Sequence, residues 1–379
     1  MVKPLSPFPM LDSRPEEIPC CGPASSPPAG KDERPGYKIC RYVRDFVQTG
    51  AGPVPRVSAE LEFHDKLGAG MVRLGIGRDE YRIPPGLYCA GNPDRESPVL
   101  VSANYKLSFD YLRRELRGQD VWILVLDTRG INVWCAAAHK TFGTEELARV
   151  IEASGLSRVV SHRRLVVPQL GAAGVAAPAL KKASGFEVVW GPLRARDLPG
   201  FLAASCKAEP AMRKLTFTMT ERMTLAPVEL AMVLKPALLI MVAMFFVSGF
   251  GPELFSFGRA WSRWLLFSRA FLAGLLSGAV LVPALLPWLP FRPFYLKGIV
   301  AALPVAGAVL LGSNAVSPVE MAAQAFICLA VSSYMAMNFT GATPYASPSG
   351  VEWEMRRAIP LQGVLVLTAL GLWLVRPFL

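Results

Sequence analysis

Cys135 and His139 stand four residues apart in the run Asn132-Val133-Trp134-Cys135-Ala136-Ala137-Ala138-His139. A thiolate facing a crevice is either a nucleophile or a soft metal ligand. The nucleophile needs a base, and His139, one helical turn on and on the same face, could supply it. Packing is the third option, because free cysteine is among the most buried residue types. Spacing alone leaves all three open.

The elements that must position Cys135 can be read on either side of it. The apolar run Val-Trp-Ile-Leu-Val-Leu-Asp at 121–127, then Thr128-Arg129-Gly130, leads into the motif. Such a run suits a strand buried on both faces, and open parallel sheets bind ligands beyond the carboxyl ends of their strands. Every residue after Cys135 in this run tolerates a helix, which puts the cysteine in a first turn, where N–H groups and the dipole favour a thiolate.

From residue 97 to 205 the pattern alternates. It predicts strand 98–103, helix 107–117, strand 121–126, a cap helix 133–140, helix 145–154, strand 158–167 with a break, helix 174–184, strand 186–190 and a helix near 195–204. Alternation of this kind argues for a parallel, Rossmann-like α/β layer. Thr144 suits an N-cap, with Glu145 and Glu146 in the first turn. No GxGxxG follows the first strand, which speaks against a dinucleotide. The segments after the strands are expected to converge on one crevice: Asn104-Tyr105-Lys106, Thr128 to Cys135, Pro168-Gln169-Leu170-Gly171 and Gly191-Pro192-Leu193-Arg194. Gly171, Ala172, Ala173 and Gly174 offer backbone without bulky side chains, which suits the edge of a flat ring or an ordinary loop.

Composition points to a membrane. The chain of 379 residues is 52% hydrophobic and 18% charged, and the apolar residues concentrate in the last third. A span needs about 20 apolar residues. Five stretches qualify, at 228–250, 265–288, 298–314, 320–338 and 359–377, and form an expected all-α membrane domain at 227–379 behind a linker at 206–226. Lys3 has no apolar run behind it, so the soluble part is expected in the cytoplasm. An odd number of spans then leaves the C-terminus outside; Arg292, Lys297, Arg356 and Arg357 fall inside, and Arg259, Arg263 and Arg376 outside. Lys207, Arg213, Lys214 and Arg222 precede the first span, and the net charge of +11 reads as attraction to a lipid surface, with no nucleic-acid motif present. Residues 1–54, rich in Pro, Gly and Ser, are expected to be a disordered tail, in which Cys20, Cys21 and Cys40 lack zinc-site spacing. Seven cysteines in such a chain imply no disulfide framework, and Cys328 reads as packing.

The stretch Asp-Thr-Arg-Gly-Ile-Asn-Val-Trp-Cys-Ala-Ala from Asp127, followed by Thr-Phe-Gly-Thr-Glu-Glu-Leu at 141–147, resembles the cap-helix region of the mercury-methylating corrinoid proteins, the HgcA family. Their signature is Asn-(Val/Ile)-Trp-Cys-Ala-Ala-Gly-Lys. Segments at 73–93, 97–116, 162–177, 190–199 and 338–360 are also similar to that family. The α/β part, expected at 55–205, more distantly resembles the corrinoid-binding domain of the corrinoid iron–sulfur protein of acetyl-CoA synthesis.

The resemblance implies a corrinoid-dependent methyltransferase anchored in the inner (cytoplasmic) membrane. Its cofactor would be a cobalamin-type corrinoid with its cobalt, and Cys135 the lower axial ligand; the D-x-H-x-x-G motif that places a histidine there is absent. Asn104, Thr128, Gly130, Asn132, Val133 and Trp134 would line the corrinoid. So would Ala136, Ala137, His139, Thr141 and Phe142, and beyond them Pro168, Gln169, Leu170, Gly171, Gly174, Gly191 and Pro192. A donating thiolate below cobalt favours departure of the upper methyl as a carbanion-like group, which a Hg(II) acceptor requires. The implied partners are a ferredoxin-like protein with two 4Fe–4S clusters as reductant and a methyl-folate-dependent methyl donor; no iron–sulfur motif occurs in this chain. Where the family has Gly-Lys-Gly, this chain has Ala138, His139 and Lys140. Two other functions fit the same residues: a carbon-one carrier of the folate/acetyl-CoA type, and a transporter with a cytoplasmic binding domain. Few charges fall within the spans, with Lys235 and Arg269 near their ends, which speaks against a polar translocation path.

Overall fold

The structure, a computed structural model, describes residues 40–312, 317–344 and 346–379, in two compact units. The elements run β1 (Val43–Thr49), β2 (Gly52–Val57), α1 (Phe63–Arg73), β3 (Gly86–Ala90), β4 (Val99–Ala103), α2 (Lys106–Glu115), β5 (Val121–Leu126), α3 (Val133–Ala138) and α4 (Thr144–Ala153). They continue with α5 (Leu156–Val159), β6 (Arg164–Val167), α6 (Ala177–Ser184), β7 (Glu187–Trp190) and α7 (Leu198–Ala203). The first unit takes its described residues from 40–60 and 82–208. Residues 61–81, with α1, group with the second unit instead of the α/β domain in which composition places them.

The seven strands form one sheet in the order β1-β2-β3-β5-β4-β6-β7. β5, β4, β6 and β7 are parallel, as alternation requires, but β3 runs antiparallel to β5 and β1 antiparallel to β2. The strands within 97–205 are thus parallel as expected, and the strands before residue 97 make the whole sheet mixed. The hairpin also corrects the expected tail, since it falls at 43–57 and so overlaps the stretch 1–54, while Cys20 and Cys21 lie outside the described residues. Pro53 and Pro55 misled the composition reading. They sit in β2, close to the sheet edge, where a missing N–H is tolerated. Gly52 turns the chain at φ +108°, and the Thr49 hydroxyl donates to its carbonyl at 2.7 Å. The expected strand 158–167 divides into α5 and β6, with Gly155 entering α5 at a left-handed φ of +61°.

β4 leads to β5 on one side, and β5 then returns past β4 to β6 on the other. Right-handed crossovers in opposite directions put the connecting helices on opposite faces of the sheet. Side chains of β4 alternate accordingly. Val99, Val101 and Ala103 join Leu147, Val150 and Leu180 of α4 and α6 in the main core, and Leu100 and Ser102 point to the α2 face. The reversal of direction opens a crevice between the carboxyl ends of β4 and β6.

The second unit contains α8 (Met219–Met223), α9 (Ala226–Gly249), a short hairpin of β8 (Phe250–Gly251) and β9 (Leu254–Phe255), α10 (Phe257–Leu276), a π turn (Ser277–Leu281), α11 (Val282–Leu285), α12 (Phe294–Leu311), α13 (Pro318–Ala342) and α14 (Pro348–Val375). Five helical segments are long and apolar enough to cross a membrane: 219–249, 257–285, 294–311, 318–342 and 349–378. They follow the five expected stretches but begin earlier in each case, and the first absorbs much of the expected linker. α13 is the centre of this unit. Gly274, Gly278 and Gly298 let α10, the π turn and α12 approach it so closely that an added Cβ would come within 2.9 Å of α13 atoms. Ser332 of α13 donates to the Gly298 carbonyl at 2.8 Å and lies 3.1 Å from the Ser277 hydroxyl.

Arg263 departs from its sequence reading as a charge at a span end. It is buried, ion-paired to Glu320 at 3.2 Å, bonded to the carbonyls of Ser248 and Trp373, and its guanidinium lies 4.7 Å from the Trp373 ring centre. Two helices thus share one internal ion pair that their separate sequences do not reveal.

Candidate functional site

Cys135 is the third residue of α3, and its position follows from one side chain. Asn132 adopts extended backbone at the N-cap and its Oδ1 accepts the Cys135 N–H at 3.0 Å. Ala136 and Ala137 turn into the core, while Trp134 and Ala138 are exposed and Cys135 is half-buried on the side they share. The first-turn expectation therefore holds. Elsewhere in the unit, burial pushes the Cys89 thiol up to about 12, with the Arg56 charge opposing, and burial also raises Cys206. None of the described cysteines is in a disulfide.

The loop that delivers Asn132 is built on Asn104, which is fully buried at the end of β4. Its Oδ1 accepts from the Thr128 N–H at 3.1 Å, the Thr128 hydroxyl at 2.9 Å and the Gly130 N–H at 3.0 Å. Its Nδ2 donates to Asp127 at 2.9 Å. Arg129 and Gly130 take left-handed φ of 57° and 75°, a tight reversal that the side chain of Asn104 holds together. Asp127 N–H in turn donates to Glu146 at 3.0 Å, fixing the loop to α4. Asn104, Thr128 and Gly130 thus shape the loop instead of lining the crevice.

The crevice has a volume of about 280 Å³. α3 contributes Asn132, Val133 and Trp134 to it, and the loops after β6 and β7 contribute Pro168, Leu170, Gly191 and Pro192. These seven expected residues are brought together. Leu193 and Arg194 line it too, as expected of the segment after β7, whereas sequence reasoning missed Ser108, Tyr111 and Leu112 of α2, Leu100 and Ser102 of β4, and Ala195 with Leu198. The spacing of 108, 111 and 112 along one helix face was the available signal. Cys135 and Gln169 are not among the lining residues.

The small residues after β6 do a different job from the one expected. A Cβ on Gly171 would meet the Phe142 ring at 2.5 Å, and one on Gly174 would meet the Phe142 carbonyl at 2.1 Å and Ala137 backbone at 3.0 Å. Phe142, Ala136 and Ala137 are core residues. Close approach is real here, but the partner is α3 and the turn behind it, so Gly171, Gly174, Ala136, Ala137 and Phe142 seat α3 rather than face a flat ring. Thr141 likewise donates to the Ala136 carbonyl at 3.3 Å. Thr144 is not the N-cap of α4, which is Gly143; its hydroxyl accepts the Ala176 N–H at 2.8 Å and ties the same loop to α4.

The three residues that depart from the resembling family are not equivalent. Ala138 is exposed. His139 is the C-cap of α3, and its Nε2 is buried without a hydrogen-bond partner, so no thiol–imidazole pair forms through that atom. Lys140 holds a left-handed φ of 61°. That conformation costs an L-residue about 1–2 kcal/mol, whereas glycine takes it freely and gives back about 0.4–1 kcal/mol through its looser unfolded chain. Lys140→Gly is expected to stabilise the protein by about 0.5–1 kcal/mol, a rise in Tm of about 2 °C. Thermal unfolding of the cofactor-free chain measures this; a fall in Tm would show that the lysine side chain contributes more than its backbone costs.

Among the described residues no group of three or more His, Cys, Asp and Glu side chains could hold a metal ion. Cys135 is therefore a single soft donor on a short, firmly seated helix, beside an apolar crevice at the strand reversal.

Residues 78–202, which carry all of this, match the family model described as CO dehydrogenase/acetyl-CoA synthase delta subunit. The chain is 36% identical over 127 residues to the acetyl-CoA decarbonylase/synthase complex subunit gamma of Methanopyrus kandleri, covering 33% of this chain and 27% of that protein. The subunit gamma of Methanocaldococcus jannaschii is 36% identical over 97 residues, or 25% of this chain and 20% of the relative. The corrinoid/iron–sulfur protein large subunit of Moorella thermoacetica is 29% identical over 126 residues, 33% of this chain and 28% of the relative. The chain thus spans about a quarter of the length of these relatives, and the likeness falls on the α/β unit. That unit, with α3 and its crevice, is similar to a corrinoid protein and to subunits of acetyl-CoA decarbonylase/synthase complexes.

Proposed function

We propose that the chain is a membrane-anchored corrinoid protein in which Cys135 is the axial ligand to cobalt and the transferred group is a methyl. The observation that carries this reading is a half-buried thiol in the first turn of α3, while no group of three or more donors among the described residues could hold a bare metal ion. A bare ion needs several protein ligands, whereas a cobalt already held by four ring nitrogens needs one. The chain's similarity over 126 residues to a corrinoid/iron–sulfur protein large subunit supports the same choice.

When bound, a corrinoid supplies the methyl-carrying metal. The chain's own residues do the rest. Asn132 fixes the first turn of α3 and with it the direction of the thiol. Gly171, Gly174 and Phe142 keep α3 from shifting. The crevice walls of Val133, Trp134, Pro168, Leu170 and Pro192 exclude water from an apolar part of the group, and at about 280 Å³ they take a portion of a macrocycle rather than enclosing it. The Rossmann-like reversal between β4 and β6 is the usual ligand position for such a sheet.

The acceptor we propose is inorganic Hg(II), reduction being supplied by a separate two-cluster ferredoxin-like protein. A methyl-folate-dependent protein would provide the methyl. A second reading, carbon-one transfer without mercury, draws support from the relatives, which are named as components of acetyl-CoA decarbonylase/synthase complexes. Cells carrying this chain together with the ferredoxin-like partner are expected to form methylmercury from added Hg(II), and cells lacking either are not. No methylmercury in any combination, with methyl exchange to a folate acceptor intact, would select the second reading. The five long helices are proposed to span the inner membrane with the α/β unit in the cytoplasm and lipid around them. A reporter fused after Leu379 should then read periplasmic, and cytoplasmic activity there would contradict five spans.

A further inference from the structure

Helix α1 turns its apolar side outward. Phe63, Leu67, Met71 and Leu74 recur at spacings of four, four and three, so they form one stripe along the helix. All four are exposed, Phe63 at 73% and Leu67 at 49%, and Ile76 continues the exposed apolar surface just beyond the C-cap. The inward side is carried by small or lone residues. Val72 is the buried residue of the helix, and Gly68 lies against Tyr81, where a Cβ would come within 2.7 Å of the hydroxyl.

The edges of the stripe are polar and mostly basic. Lys66 and Arg73 flank one side, His64 the other, and Arg78 follows; Asp65 is engaged at the N-cap, where it accepts the Glu62 N–H at 3.1 Å, and Asp79 and Glu80 lie past the helix. An apolar stripe bordered by cations is the pattern of a helix that lies flat at a lipid surface. α1 also groups with the unit whose long helices expose Leu238, Leu239 and Leu367 in the same manner. Its surface therefore continues the kind of surface that the unit presents to acyl chains.

We propose that α1 rests in the headgroup layer of an anionic bilayer, with Phe63, Leu67, Met71 and Leu74 against acyl chains and Lys66 and Arg73 at the lipid phosphates. This rests on the reading that the long helices span that bilayer. The chain leaves the sheet after β2 and rejoins it at β3, so the segment at 58–85 becomes a second membrane tether for the α/β unit besides the connection at 204–218.

The test uses the full chain in nanodiscs with a photo-crosslinking benzoylphenylalanine in place of Leu67, Val72 or Leu367. Lipid adducts are expected at 67 and 367, and crosslinks within the chain at 72. The yield at 67 should rise at least about threefold when phosphatidylglycerol is added to phosphatidylcholine. A probe at 67 that captures only this chain, while 367 captures lipid, overturns the role of α1 and leaves the spans intact. Lipid adducts at neither position overturn the spans themselves. Equal yield at 67 with and without phosphatidylglycerol overturns the assignment of an anionic surface.

Discussion

Cys135→Ala is expected to abolish methyl transfer while leaving the fold in place. The loss should exceed the roughly 10–100-fold typical of removing a group that only supports a metal ligand, because on the proposed reading Cys135 is the ligand itself. Alanine keeps the backbone N–H that Asn132 caps and is the best helix former, so α3 has no reason to unwind. Cys89 cannot substitute, since it is fully buried in the sheet and held protonated by its burial. Methyl transfer by the purified chain, measured beside its melting temperature, separates the two effects. A variant that keeps half of the activity would remove Cys135 from the chemistry.

Asn104→Leu is expected to fail in the opposite manner, by stability. Leucine is close in size but leaves the N–H groups of Thr128 and Gly130 and the Thr128 hydroxyl without the acceptor they now share. Each buried orphan costs about 1–3 kcal/mol, so the three together are expected to cost at least about 3 kcal/mol. The loss must appear in the cofactor-free protein, because the bonds are internal to the loop. Denaturant unfolding of the apo chain reads it directly. An apo stability within about 1 kcal/mol of the parent would show that Asn104 serves a ligand and not the loop.

Asn104 also illustrates which parts of the site are legible in the sequence. The run Val121–Leu126 can be read to the residue, since six apolar side chains in a row suit only a strand covered on both faces. The first-turn position of Cys135 is equally legible, because the alanines after it favour a helix, although sequence reasoning missed Asn132, the cap that fixes it. Segments following strands identify the crevice, as Pro168, Gly191 and Pro192 do.

What those residues do within the crevice is not legible. Gly171 reads as room for a ligand, yet the Phe142 ring fills that room from 29 positions earlier in the chain. Pro53 and Pro55 read as disorder, although a strand near a sheet edge tolerates both. Arg263 reads as a charge beside a span, and only the packing of α10 on α13 pairs it with Glu320. In each case a partner distant in sequence decides the role, and local pattern carries no record of it.

The most direct test of the central claim is the visible spectrum of the full-length chain reconstituted with cobalamin, compared with that of Cys135→Ala. The expected result is a bound cofactor whose own base is displaced, with a thiolate-ligated spectrum that reverts in the variant to that of cobalamin with its base or water below the metal. Identical spectra in the two proteins would contradict ligation by Cys135, and with it the role of α3 as the helix that presents a thiolate to cobalt.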